Sequence, residues 1–205
     1  MVSRRVGAGM GLLLASASLF GQGADAAGPA VSTRKDGSLE IAGRAVQCGK
    51  VRAKLDPRLP GLGAAAPAMH LLILNPRGLQ RQPDNVRLFV YHHECGHHHV
   101  GASELKADCW AVNRGVRDGW LDAAGLKQVC TSFGGMPETP THPSAAKRCR
   151  NLDMCFSSVT AAVRRELAEK VKADAKLEKA AVKPPQSPSP DLVSGPTFIH
   201  AGAVP

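Results

Sequence analysis

Aromatic residues are scarce: they make up 4 % of the 205 residues. That scarcity bears on the first thing the charge brings to mind. A formal net charge of +9 invites a nucleic-acid partner, but the lysines and arginines are scattered and no nucleic-acid-binding motif accompanies them. No nucleic acid is expected. Past the N-terminus no stretch is apolar for long enough to cross a bilayer, which excludes a membrane span. No C-x-x-C occurs anywhere, so paired-cysteine metal knuckles and dithiol redox motifs are missing. No internal repeat is present, which removes solenoids and propellers.

What is there begins at the N-terminus. Arg4 and Arg5 precede an apolar stretch, Gly7 to Phe20, and Ala24-Asp25-Ala26 forms a small-x-small cleavage site. This predicts a secretory signal peptide over 1–26 and an exported protein, periplasmic or secreted. All six cysteines (Cys48, Cys95, Cys109, Cys130, Cys149, Cys155) follow the cleavage site. In an oxidising compartment they read as up to three disulfides, for which fifteen pairings exist.

The chemistry concentrates in Tyr91 to Arg114, YHHECGHHHVGASELKADCWAVNR. His93-Glu94-Cys95-Gly96-His97 fits H-E-x-x-H. On a helix His93 and His97 stand one turn apart on one face, where both imidazoles can hold a single Zn²⁺. Glu94 lies about 100° round the helix, beside the ion rather than on it, where a general base belongs. Glu104 follows after six intervening residues and can bring a third ligand from a second helix. Asp108, one turn further on, is placed to hydrogen-bond the free ring nitrogen of a ligand histidine. Cys95 points about 200° away from His93, so it is read as pinning the back of the helix and not as a ligand. A histidine run that merely buffers metal has no need of Glu94 or Glu104.

The rest of the chain supplies a frame. A small, polar lead-in runs to about residue 37, followed by short strands at Leu39–Ile41 and Ala45–Val51 and a Pro/Gly loop over 57–67. The apolar run 69–74 reads as a strand buried on both faces. A helix opens at Pro83 or Asp84 and ends at Gly101. Ser103 caps a second helix, Glu104 to about Asn113, with Leu105 and Trp110 as core residues. A turn over 115–119, a third helix (121–133) and a short helix (144–152) follow, and Cys149 and Cys155 can close a small loop. His70 is read as structural, and His98 and His99 as lying near the site entrance or in solvent. The expected organisation is a folded domain over 27–158, an exposed charged helix over 159–181 and a disordered Pro-rich tail over 182–205. About 130 folded residues support one modest core, with disulfides compensating for its size.

Three motifs, HHECGHHH, SELKADCWA and THPSAAKRCRNL, resemble the catalytic domain of gluzincin metallopeptidases of the CAAX-prenyl-protease type. The resemblance covers roughly residues 84–152. It implies zinc ligands His93, His97 and Glu104, general base Glu94, and Asp108 orienting a ligand histidine. It also implies that His142 or Arg148 lines the site and steadies an oxyanion. Those enzymes usually carry transmembrane helices and a long insertion before the acidic ligand. Here the turn Val100-Gly101-Ala102 must return Glu104 directly. The sequence is therefore expected to form a small, mostly helical α+β domain of zincin type with a short N-terminal sheet. Its expected activity is zinc-dependent hydrolysis of a peptide or protein substrate. The alternatives are a non-catalytic envelope metal-binding protein and a pseudo-protease that binds a partner.

Overall fold

The computed structural model describes residues 29–181. The expected leader (1–26) and tail (182–205) lie outside the described residues. Within them the chain is α+β. Two small sheets occupy the N-terminal part and helices the remainder. No helix among the described residues is long and apolar enough to cross a membrane.

The first sheet comprises β1 (Val31–Thr33), β2 (Leu39–Ile41) and β3 (Arg44–Val46), all antiparallel. β2 and β3 meet in a two-residue turn whose residues, Ala42 and Gly43, both have positive φ (51° and 70°), the backbone that matches strand twist in a tight hairpin. The presumed lead-in is thus partly a strand. Val31 is buried beside Leu39 and Ile41, so a short alternating segment pairs once a neighbour covers it. The expected strand 45–51 stops at Val46.

The second sheet has the order β4-β6-β5, from β4 (Arg52–Leu55), β5 (Gly63–Ala66) and β6 (Leu71–Leu74). β6 runs parallel to β4 and antiparallel to β5. β6 is not buried on both faces: Leu72 and Leu74 are buried, Leu71 and Ile73 half-buried. β5, Gly-Ala-Ala-Ala, falls inside the expected loop. It has neither β-branched residues nor alternation, and tertiary pairing alone makes it a strand.

Asn75-Pro76 ends β6 and starts α1 (Pro76–Gln80). Pro is at the first helical position, and the Asn75 side chain accepts from Gly78 N–H. The centre of the molecule is α2 (Asp84–Val100). Val86, Phe89 and His93 are buried on one side, Leu88, Tyr91, His92 and Cys95 on others, as befits a helix enclosed nearly all round. α3 (Glu104–Arg117) runs past the expected end because Gly115 stays helical, its bare face covered by Trp120 and Leu121. Ala107, Ala111 and Val112 form its buried face; Leu105 and Trp110 are only half-buried. α4 (Ala123–Ser132) is capped by Asp122. α5 (Ala145–Ala181) is one continuous helix in place of two segments.

Three disulfides tie these parts: Cys48–Cys95, Cys109–Cys155 and Cys130–Cys149. Cys95 pins the back of α2 to the segment after β3. Cys149 and Cys155 close no loop together, since unbroken helix separates them and each bonds elsewhere.

Candidate metal centre

Two helices build the centre. α2 supplies His93 and His97, and α3 supplies Glu104 from its first turn. Gly101 (φ 77°) reverses the chain between them, a backbone conformation that glycine adopts without strain. Ser103 then caps α3, its Oγ accepting from Lys106 N–H. The helices approach closely because Gly96 lacks a side chain. A Cβ there would stand 3.2 Å from the Cα of Ala107. The glycine between the two histidines therefore lets Glu104 come within reach.

The three donor groups converge. His93 Nε2 lies 3.1 Å from His97 Nε2 and 3.2 Å from Glu104 Oε2, and His97 Nε2 lies 3.5 Å from Glu104 Oε1. Ligands held about 2.0–2.1 Å from one ion at tetrahedral angles stand roughly 3.3 Å apart, so the set fits a single small cation. Each ring's other nitrogen is engaged. His97 Nδ1 donates to the Gly101 carbonyl at 2.9 Å, and His93 Nδ1 donates to Asp108 Oδ1 at 2.9 Å. These bonds put the protons on Nδ1 and turn both Nε2 lone pairs inward. Two lone pairs facing each other beside a carboxylate call for a positive charge between them.

The electrostatics point the same way. Burial opposes charge on His93, but the Asp108 and Glu104 carboxylates outweigh it and push the group up to about 9. His97 is raised by its contact with Glu104, against its own burial. Burial would raise Glu104 as well. The two imidazoles and Arg148 win, holding it well below the usual carboxylate range. Glu94 is shifted the other way, raised by burial despite those neighbours. The two glutamates thus differ in character, one held as an anion and one eased toward protonation.

Behind the histidines Asp108 is fully buried and paired with Arg148, whose Nε donates to Oδ2 at 2.9 Å and whose Nη2 donates to Oδ1. Arg148 also stacks 4.2 Å from the Phe133 ring centroid, and its Nη1 lies 3.8 Å from Glu104 Oε2. The guanidinium is therefore largely engaged with Asp108. His142 sits on the rim, its side chain half exposed and its Nε2 3.7 Å from Glu104 Oε1. Thr141 Oγ1 lies 2.9 Å from its Nδ1.

Two other histidines stack on tryptophans. His92 stacks on Trp120 and, being buried, is lowered to about 4. His99 stacks on Trp110 with centroids 4.2 Å apart. His70 is exposed in a left-handed turn (φ 47°). Neither His98 nor His99 lines the cleft; of the two expected places, entrance or solvent, His99 takes the second, being exposed, and His98 is half-buried. A second cluster, Cys48, Cys95 and His99, has no thiolate to offer because its cysteines are bonded to each other.

The centre opens into a cleft of about 1000 Å³. Strand β5 forms one wall with Gly63, Ala64 and Ala65; Phe133, Met136 and His142 form the other, above Phe89 and Val90. Sequence reasoning missed the β5 wall and, of the other, Phe133 and Met136; His142 and Arg148 line the cleft as the resemblance implies. The only available signal for β5 was the run of small residues, which resembles a loop. Comparison with protein-family models, with curated proteins and with solved structures finds no match to this chain.

Proposed function

We propose that this chain is an exported zinc metallopeptidase resembling the gluzincins. The observation that carries the reading is the convergence of two inward-turned imidazoles and one carboxylate, with a second, half-buried glutamate lining the same cleft. His93, His97 and Glu104 would hold the ion, a nitrogen-rich, mixed donor set that suits zinc and leaves one of four positions open. When bound, zinc acidifies a water and polarises a carbonyl oxygen.

The chain's own groups do the rest. The Glu94 carboxylate takes a proton from the attacking water and returns it to the leaving amine nitrogen. Its raised affinity for protons serves the second half of that exchange. Asp108 holds His93 in one tautomer, and Arg148 fixes Asp108 with two donated hydrogen bonds. His142, on the rim, is placed to donate an N–H to the carbonyl oxygen as charge develops there. The substrate is read as an extended peptide. β5 is the edge strand of its sheet, so its outer backbone groups can pair with a substrate strand. Phe89, Phe133 and Met136 favour an apolar side chain beside the cleaved bond. Three disulfides fit an oxidising, extracytoplasmic setting. The metal-buffering alternative loses ground because His98 and His99 turn away from the centre.

The test is metal content and peptide hydrolysis of the purified protein beside Glu94→Gln. One zinc per chain in both, with hydrolysis falling at least 100-fold in the variant, is the expected result. Equal turnover by the two proteins would remove the enzymatic reading, and a zinc-loaded chain with no turnover would make it a pseudo-enzyme.

A further inference from the structure

We infer that Gly63 is a positioning residue for Glu94: the place that a Cβ would occupy at this point of β5 is where the Glu94 side chain stands. A Cβ built on Gly63 would lie 2.7 Å from Glu94 Cγ, 3.0 Å from Glu94 Oε1 and 2.9 Å from Val90 Cγ1. The two carbon contacts are closer than non-bonded atoms approach, the contact to oxygen is tighter than most, and none of the three is backbone. Gly63 pairs with Leu74 across the sheet, and that pairing fixes the strand on the side away from the cleft. The strand and the helix α2 are thus both anchored, so a methyl group at 63 must displace side chains.

Both side chains border the cleft, but Val90 is β-branched and stiff at χ1, so the longer Glu94 chain is the one that turns. Conversely, the bare backbone of Gly63 forms a wall against which the Glu94 chain rests. It limits the rotamers by which the carboxylate could swing away from the histidines. Gly61, two residues earlier, is the natural comparison. A Cβ there meets only the Gly63 carbonyl oxygen, at 3.6 Å, an ordinary contact. None of the three nearest atoms belongs to His93, His97 or Glu104, so the effect is expected to fall on the base first. The packing claim stands on geometry alone; its catalytic meaning rests on the function proposed above.

The experiment is Gly63→Ala in the full chain, read in two ways beside wild type, Gly61→Ala and Glu94→Gln. The first readout is a crystal structure of the variant. It should show β5 in place and the Glu94 carboxylate in a different rotamer. A shifted strand with Glu94 unmoved would overturn the inference. The second is kinetic, with zinc content measured on the same samples. Gly63→Ala should keep its zinc and lose about 100-fold in kcat, the scale of a misplacement of about 1 Å, with KM within about threefold of wild type. Gly61→Ala should match wild type. A displaced Glu94 with kcat unchanged, or a loss confined to KM, would also overturn it. If wild type and Glu94→Gln turn over equally, the proposed function falls, and the crystal structure still decides whether Gly63 holds Glu94 in place.

Discussion

His93 is the residue on which the site turns, since one nitrogen faces the centre and the other is committed to Asp108. Asp108 in turn is buried with Arg148, so it is both a hydrogen-bond acceptor and half of a buried ion pair. Replacing Asp108 by Asn keeps an acceptor but removes the charge; replacing it by Ala removes both and leaves Arg148 buried without a partner. Zinc affinity measured by competition with a chelating dye should fall about 10- to 100-fold in Asp108→Asn, and Asp108→Ala should also be visibly destabilised. Unchanged affinity in both would mean that Asp108 serves packing only. The pH dependence follows from the same contacts. His93 is pushed up to about 9 and His97 is raised, so near neutrality a cation must displace protons from the imidazoles. Metal affinity should therefore rise with pH through neutrality and level off above about 9. Titration calorimetry in buffers of different ionisation enthalpy should show at least one proton released per metal at pH 7. In the metal-free protein the sign for stability is opposite: a raised His93 contributes below about 6.5 and that contribution is lost as pH climbs toward about 9.

At the scale of elements, the disulfides divide into those that hold the ligand helices and one that holds a wall of the cleft. Cys48–Cys95 fixes α2 from behind, whereas Cys130–Cys149 closes the segment that carries Phe133, Met136, His142 and Arg148. Removing the first as Cys48→Ser with Cys95→Ser should cost about 3 kcal/mol, seen as a lower denaturant midpoint. Removing the second in the same way should leave zinc binding within a few-fold of wild type, because the three proposed ligands lie outside the loop it closes, but weaken peptide binding to Glu94→Gln. Equal damage to both functions would show that the wall and the centre are not separable. These elements also show what sequence could convey. α2, α3 and the Ser103 cap were legible because periodicity, a capping residue and a glycine stop all fall within a few residues of one another. β1, β5 and the partnership of Arg148 with Asp108 were not. β1 and β5 pair with strands close in sequence (Val31 with Ile41, Ala66 with Leu71), but β1 is only three residues long and β5 is a run of small residues, while the ion pair joins residues 40 apart. The convergence of His93, His97 and Glu104 could be anticipated because a single turn links the two helices. Of the cleft lining outside the two helices only His142 and Arg148 could be anticipated, because β5 is a run of small residues without strand-forming side chains and the segment from Phe133 to Thr141 is irregular chain.

At the scale of the whole molecule, α5 outruns the domain it belongs to. Its 37 residues extend about 55 Å at 1.5 Å per residue, more than the width of a domain of about 130 residues. Contact with the body ends partway along. Val159 is buried and Val163 partly so. Arg117 then forms a two-pronged, exposed ion pair with Glu166, at 2.8 and 2.9 Å. Beyond it Leu167, Val171 and Leu177 are all exposed, at 61 %, 60 % and 69 %. A helix segment with no buried face depends on propensity and on its own side-chain pairs, and adds little to the stability of the domain to which it is attached. Ending the chain after Lys170 should therefore move the unfolding midpoint by less than about 2 °C, whereas Val159→Ala, which opens a buried site, should lower it by several degrees. Far-UV circular dichroism would register the lost turns in the truncated chain without a matching loss of cooperativity. A drop of about 5 °C or more on truncation would mean that the distal helix packs on the domain in solution, and the boundary between body and projection would then have to be drawn beyond residue 170.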